Sequence, residues 1–229
     1  MADAKRESVK FITPTGVAIY PKLHKPDTKF KKEGQYSVKL RLAPDAIPAE
    51  TVEKLEALRD SQVEKSKAEL TAAKKGGKVK TLKVRDLFSS ELDAEGNETG
   101  NIIINAKMTA SGISKKDGKP WTRSPLVFDA KRKAMKPVPF IYGGSELKVA
   151  VESVAYYSAK DNEVGVSFYL EAVQVIKLVK GSGERSAANI GFGEEEGYAD
   201  EADVGGEQFD DSKTTEPSAA PAGGDPEEF

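Results

Sequence analysis

Lys107, Lys115, Lys116, Lys119, Trp121 and Arg123 fall within seventeen positions, basic side chains around the chain's single tryptophan. A second basic run, Lys131-Arg132-Lys133, follows. A third cluster precedes both: Lys22-Leu23-His24-Lys25-Pro26 and then Lys29-Phe30-Lys31-Lys32. Lysine and arginine track phosphates, and a planar ring accepts an unstacked base at roughly 1–3 kcal/mol per base. Trp121 and Phe30 are therefore candidates for stacking, and Lys31, Lys32 and the cations of the first two clusters candidates for phosphate. Trp121 has an alternative role as a cap on one end of a β-barrel. Tyr156 and Tyr157 close a predicted strand, and neighbours in a strand face opposite ways. At most one of them stacks while the other packs inside.

Catalytic chemistry finds little support. His24 is the only histidine, in a Lys/Pro-rich loop without a carboxylate partner nearby in sequence. Gly143-Gly144-Ser145 lacks the lysine of a phosphate-cradling loop and reads as a turn. With no cysteine in the chain, thiolate metal sites and disulfides are excluded. Glu194-Glu195-Glu196 could hold a divalent cation only loosely, whereas a metal nuclease needs carboxylates on rigid elements. The expectation is a binding protein, not an enzyme, with no cofactor and no metal.

The elements that must position these residues are mostly strands: 9–20, 35–42, 102–110, 126–130, 146–156 and 164–178. In the second, Tyr36, Val38, Leu40 and Leu42 alternate with Gln35, Ser37, Lys39 and Arg41, one face for a core and one wet and basic. Arg41 and Lys39 on the wet face are within the candidate phosphate contacts. Between 48 and 75 the apolar spacing of Val52, Leu55, Leu58, Val63 and Leu70 predicts one long amphipathic helix. Pro48 starts it, Lys74 and Lys75 suit its negative end, and Gly76-Gly77 stops it. Short strands, one inserted helix and no β-α alternation predict a mainly β fold, an oligonucleotide/oligosaccharide-binding (OB) barrel, with a β-sandwich as the rival.

Residues 1–180 carry 33 Lys/Arg against 23 Asp/Glu, whereas 181–229 carry 2 against 14. A basic OB domain over 1–180 is thus followed by an acidic tail over 181–229. The tail has nine glycines, three prolines and only Ile190 and Val204 among Val/Ile/Leu, which predicts disorder. A tethered polyanion can compete for the basic face or recruit other proteins. Asp225, Glu227, Glu228 and Phe229 are its candidate partner-binding residues. The N-terminal residues lack an apolar signal region and the longest aliphatic run is Ile102-Ile103-Ile104, so neither secretion nor a membrane partner is expected.

Three stretches carry a resemblance: Gly34-Gln35-Tyr36-Ser37-Val38-Lys39-Leu40 after Lys25-Pro26-Asp27; Val138-Pro139-Phe140-Ile141-Tyr142-Gly143-Gly144-Ser145-Glu146-Leu147-Lys148-Val149; and Val164 through Val173. With the acidic tail, they resemble the single-stranded DNA-binding proteins of T-odd podophages and related tailed bacteriophages. The resemblance implies an OB barrel that binds single strands without sequence preference in phage replication, recombination and repair, in the host cytoplasm. It implies a tail that engages replication proteins such as DNA polymerase or helicase-primase, and it favours a homodimer. By position, Tyr156 matches a DNA-contacting tyrosine and Lys107 falls in the strand that supplies a contacting lysine. A family arginine falls at Glu33, a departure that leaves its contact to Lys31 or Lys32. The rival reading is an acidic-tailed adaptor whose body contacts protein and not nucleic acid.

Overall fold

A computed structural model describes residues 7–179. The acidic segment 181–229, with its expected disorder and with Asp225, Glu227, Glu228 and Phe229, lies outside the described residues. The chain runs β1 (Val9–Ile12), β2 (Gly16–Asp27), β3 (Gln35–Leu42), α1 (Ala49–Ala72), α2 (Gly76–Lys80), β4 (Lys83–Val84), β5 (Ser89–Leu92), β6 (Glu98–Thr109), β7 (Ser111–Ile113), β8 (Pro120–Thr122), β9 (Leu126–Phe128), β10 (Glu146–Ser158) and β11 (Glu163–Lys177).

Five of these strands close a ring. β2 pairs with β3 and β3 with β6, both antiparallel. β6 then runs parallel to β11 at Ala106–Lys107, β11 pairs antiparallel with β10, and β10 meets β2 again at Gly16–Val17. A sheet that returns to its first strand is a barrel, and closure removes the free edges that a sandwich would leave. The fold is a mainly β OB barrel with one long inserted helix.

Period-two patterning builds the interior. Tyr36, Val38, Leu40 and Leu42 of β3 are buried, and Ile104, Ala106 and Met108 of β6 meet them from the next strand. Leu147, Val149 and Val151 of β10 and Leu170, Val173 and Val175 of β11 complete the same cluster. Each such aliphatic side chain contributes about 1.5–3 kcal/mol of burial, so the outward register of the alternate residues is strongly enforced.

Three expectations are refined. The stretch 9–20 forms two strands, interrupted at Thr13-Pro14-Thr15. Pro14 cannot donate to a ladder, and buried Thr13 instead trades hydrogen bonds with Val149. The helix ends before the glycines: Lys74, at φ +56°, takes the left-handed position, and the Lys75 N–H reaches back to the Leu70 carbonyl, a Schellman closure. Gly76 and Gly77 then open α2 rather than stop α1. Leu55, Leu58, Val63 and Leu70 do form the buried stripe, joined by Ser66, and α1 packs over β10, β11 and β1.

Candidate nucleic-acid interface

The outward residues of β3 and β6 form the floor of a groove across the barrel. Gln35, Ser37 and Lys39 stand opposite Thr109, Lys107 and Asn105. One row runs straight across four strands: Lys22 of β2 pairs with Ser37, Ser37 with Lys107, and Lys107 with Tyr169 of β11. Three inter-strand steps make that row roughly 14 Å long. Two adjoining hollows, of about 370 and 550 Å³, share Lys31, Gln35, Asn105 and Lys107 as their common floor. The first also holds Arg85, Tyr156 and Tyr169; the second holds Tyr20, Phe30 and Lys39.

Two local devices aim the rings. The pairing of β2 with β3 slips between Ile19 and Lys22, a bulge that places Tyr20 at φ +47° and leaves its side chain 81% exposed. Bulges beside sites redirect side chains, and a non-glycine residue in this region costs on the order of 1 kcal/mol. On β10, Tyr156 faces Gly165, where a Cβ would come within 2.9 Å of its hydroxyl. That hydroxyl donates to Glu163 Oε1 at 3.2 Å, and Arg85 pairs with the same carboxylate at 3.5 Å. Tyr156 and Glu163 together hold the Arg85 guanidinium above its ordinary value. Tyr157 points away and bonds Asn162 at 3.0 Å, so only one of the two tyrosines lines the groove.

The groove lining sets Lys22, Lys31, Lys39, Arg85 and Lys107 against Asp27 and Asp86. Among the described residues, Lys22, Lys31, Lys39 and Lys107 take part in none of the ion pairs. Arg41 differs: its guanidinium pairs with Glu91 at 3.1 Å. Asn101, Thr99 and Arg41, in that order, hold the Glu91 carboxyl below its ordinary range.

The other candidates separate by position. Phe30 is 86% exposed beside the groove, with Lys29 over its ring at 5.5 Å. Lys32 is exposed on the same turn without lining either hollow. Trp121 lies on the β7–β8 hairpin, which leaves the barrel just after Thr109, a groove residue. Its ring covers Gly112, and the Arg123 guanidinium sits 5.1 Å from the ring centre while Arg123 Nε donates to the Thr109 carbonyl. Lys115, Lys116 and Lys119 surround the hairpin tip, where Ser114 and the Lys119 N–H hold the Asp117 carboxyl below its ordinary range. Lys131, Arg132 and Lys133 form a turn after β9, which pairs with β11 at Ala172–Gln174. That turn lies roughly a strand's half-length beyond Tyr169 and does not line the groove.

Tyr20, Arg85 and Tyr169 are groove residues that the sequence reading does not reach. For Tyr169 a signal existed, because buried Phe168 and Leu170 flank it in period two. Tyr20 depends on a bulge and Arg85 on the long-range meeting of β4 with β11.

A family model described as the single-stranded DNA-binding protein of bacteriophage T7 matches residues 15–178. The single-stranded DNA-binding protein of Enterobacteria phage T3 is 29% identical over 126 residues, which cover 55% of this chain and 50% of that protein. The chain thus spans about half the length of that relative. Among solved structures, the single-stranded DNA-binding protein encoded by bacteriophage T7 superposes with a TM-score of 0.60 at 23% identity, over 77% of this chain and 96% of that one. That of bacteriophage Enc34, in complex with single-stranded DNA, gives 0.51 at 17% identity, over 76% and 89%. These two structures share the fold described above.

Proposed function

The chain belongs to the bacteriophage T7 single-stranded DNA-binding protein family, and on that premise we propose that it binds single-stranded DNA without sequence preference along the barrel groove. The observation that carries the reading is the row Lys22–Ser37–Lys107–Tyr169, with Tyr20 and Tyr156 beside it. Lys22, Lys31, Lys39 and Lys107 neutralise phosphates along the groove. Tyr20, Phe30, Tyr156 and Tyr169 offer ring faces to bases, which a duplex keeps stacked and paired. Stacking on these rings tolerates every base.

The protein acts by binding rather than by catalysis, in phage replication, recombination and repair within the host cytoplasm. The net −12 of residues 181–229 against the net +10 of 1–180 supports a tail that competes with DNA for the groove. Once displaced, Asp225, Glu227, Glu228 and Phe229 are presented to replication proteins such as DNA polymerase or helicase-primase. Deleting 181–229 should tighten DNA binding at low salt; unchanged binding would dismiss the competition. The family resemblance favours a homodimer, which sedimentation tests directly.

Anisotropy of a labelled strand of about 30 nucleotides, its duplex and the matching RNA, over a salt series, tests the central claim. Single-stranded DNA should bind in preference to duplex, with log affinity falling against log salt at a slope of about −3 for four lysine contacts. Equal binding of duplex would sink the groove, and preference for RNA would reassign the ligand.

A further inference from the structure

A third hollow of about 500 Å³ opens beside the groove, between the outgoing stretch of β2 and the segment before β10. Lys22, Lys25 and Lys29 line it together with His24 and Phe140. Lys22 and Asp27 belong both to it and to the groove, so the two are continuous. Asp27 is the only carboxylate in its lining, and its Oδ1 accepts the Lys29 N–H at 2.8 Å. Three lysines therefore line the hollow against one carboxylate.

His24 and Phe140 form its ring wall, and Tyr142 continues the ladder of rings beyond the lining. His24 and Phe140 lie 4.8 Å apart at 33°, and Phe140 and Tyr142 lie 5.5 Å apart at 30°. The ladder is anchored: the Val138 carbonyl can only accept, so His24 Nδ1 donates to it, at 2.6 Å. The rings are not hidden by this packing, since Phe140 remains 58% and Tyr142 41% exposed. Single exposed apolar residues need no explanation, but a contiguous aromatic wall rimmed by lysines marks a binding surface.

We propose that this hollow is a second single-stranded DNA subsite, which takes the strand onward from the groove past Lys22. One base packs against Phe140, and Lys25 and Lys29 hold the phosphates on either side of it. The choice of DNA as occupant rests on the reading above and on two features of the hollow itself: its continuity with the groove through Lys22, and its excess of positive charge beside stackable rings. The subsite lengthens the strand that one barrel covers without adding sequence preference.

The test uses the full chain with labelled oligothymidylates of about 5 and about 15 nucleotides, the range one OB barrel covers. Phe140→Ala should weaken the longer strand about fivefold or more, one lost base stack, and the shorter strand less than twofold. Lys25→Ala, which removes an exposed charge and leaves the ring ladder intact, should flatten the salt slope by about 0.7 for the longer strand only. Lys107→Ala, in the groove, should weaken both strands. Equal effects of Phe140→Ala on the two lengths, or no effect on either, overturn the subsite and leave the ladder to a protein segment. Failure of the unaltered protein to bind either strand would instead fell the single-stranded DNA reading itself.

Discussion

Tyr156 on β10 stands directly opposite Gly165 on β11, and its ring occupies the space that a side chain at 165 would fill. A Cβ built there lies 2.9 Å from the tyrosine hydroxyl and 3.0 Å from Cε1 and Cζ. The glycine therefore lets the ring lie flat against the sheet, with its hydroxyl on Glu163. Trp121 repeats the arrangement over Gly112, its own cross-strand partner on the β7–β8 hairpin.

Gly165→Ala should consequently displace the Tyr156 ring, whose far end is the part that must yield. Affinity for single-stranded DNA should fall by about 1–3 kcal/mol, the worth of one stacked base. The double variant with Tyr156→Ala should lose scarcely more than either single one, because both remove the same contact. Equilibrium titrations of the three variants decide it; additive losses would show that Tyr156 and Gly165 act separately.

Lys107 and Tyr169 are neighbours across the parallel β6–β11 pairing, yet they should fail differently. Lys107→Ala removes one phosphate contact and should flatten the slope of log affinity on log salt by about 0.7. Tyr169→Ala should lower affinity at every salt concentration with the slope unchanged, because stacking releases few counterions. A salt series on each variant separates the two, and a flattened slope for Tyr169→Ala would remove it from the stacking residues.

Tyr20 offers a prediction in which stability and binding move in opposite directions. Its φ of +47° suits glycine and not tyrosine, and its exposed ring contributes little to the core. Tyr20→Gly should raise stability by on the order of 1 kcal/mol through relief of backbone strain and should weaken DNA binding by the loss of a ring. Thermal unfolding and titration of the same sample read both quantities. A destabilised variant would mean that the tyrosine ring holds the bulge in place.

The legible part of this molecule is the part written in local periodicity. The alternation of Tyr36, Val38, Leu40 and Leu42 with Ser37, Lys39 and Arg41 marks the wet face of β3, and the structure buries the first set. The helix stripe Leu55, Leu58, Val63 and Leu70 was equally readable. Closure was not, because β6 meets β11 through only two residue pairs separated by some sixty positions. Sequence proximity does not group the cations either: Lys131–Lys133 is as basic as the groove but hangs from β9, away from its floor. Tyr20 required a bulge, and bulges leave no periodic trace.

Arg41 is the one cation of the β3 wet face held by a carboxylate, and that pairing yields a pH dependence. Asn101 and Thr99 donate to Glu91 Oε2 at 2.9 and 2.8 Å, and Arg41 pairs with Oε1 at 3.1 Å. These contacts lower the Glu91 pKa from 4.5. A depressed carboxylate stabilises the fold above its unfolded-state value, near 4.5, and that contribution is lost as pH falls through the lower folded value. Glu91→Gln should therefore blunt the acid sensitivity of the melting temperature below pH 4.5 relative to the parent protein. At neutral pH the same change releases Arg41, one strand position from Lys39 on the same face, to a phosphate, so the salt slope of DNA binding should steepen by about 0.7. An unaltered slope would confine Arg41 to bracing β3 against β5, outside the path of the strand.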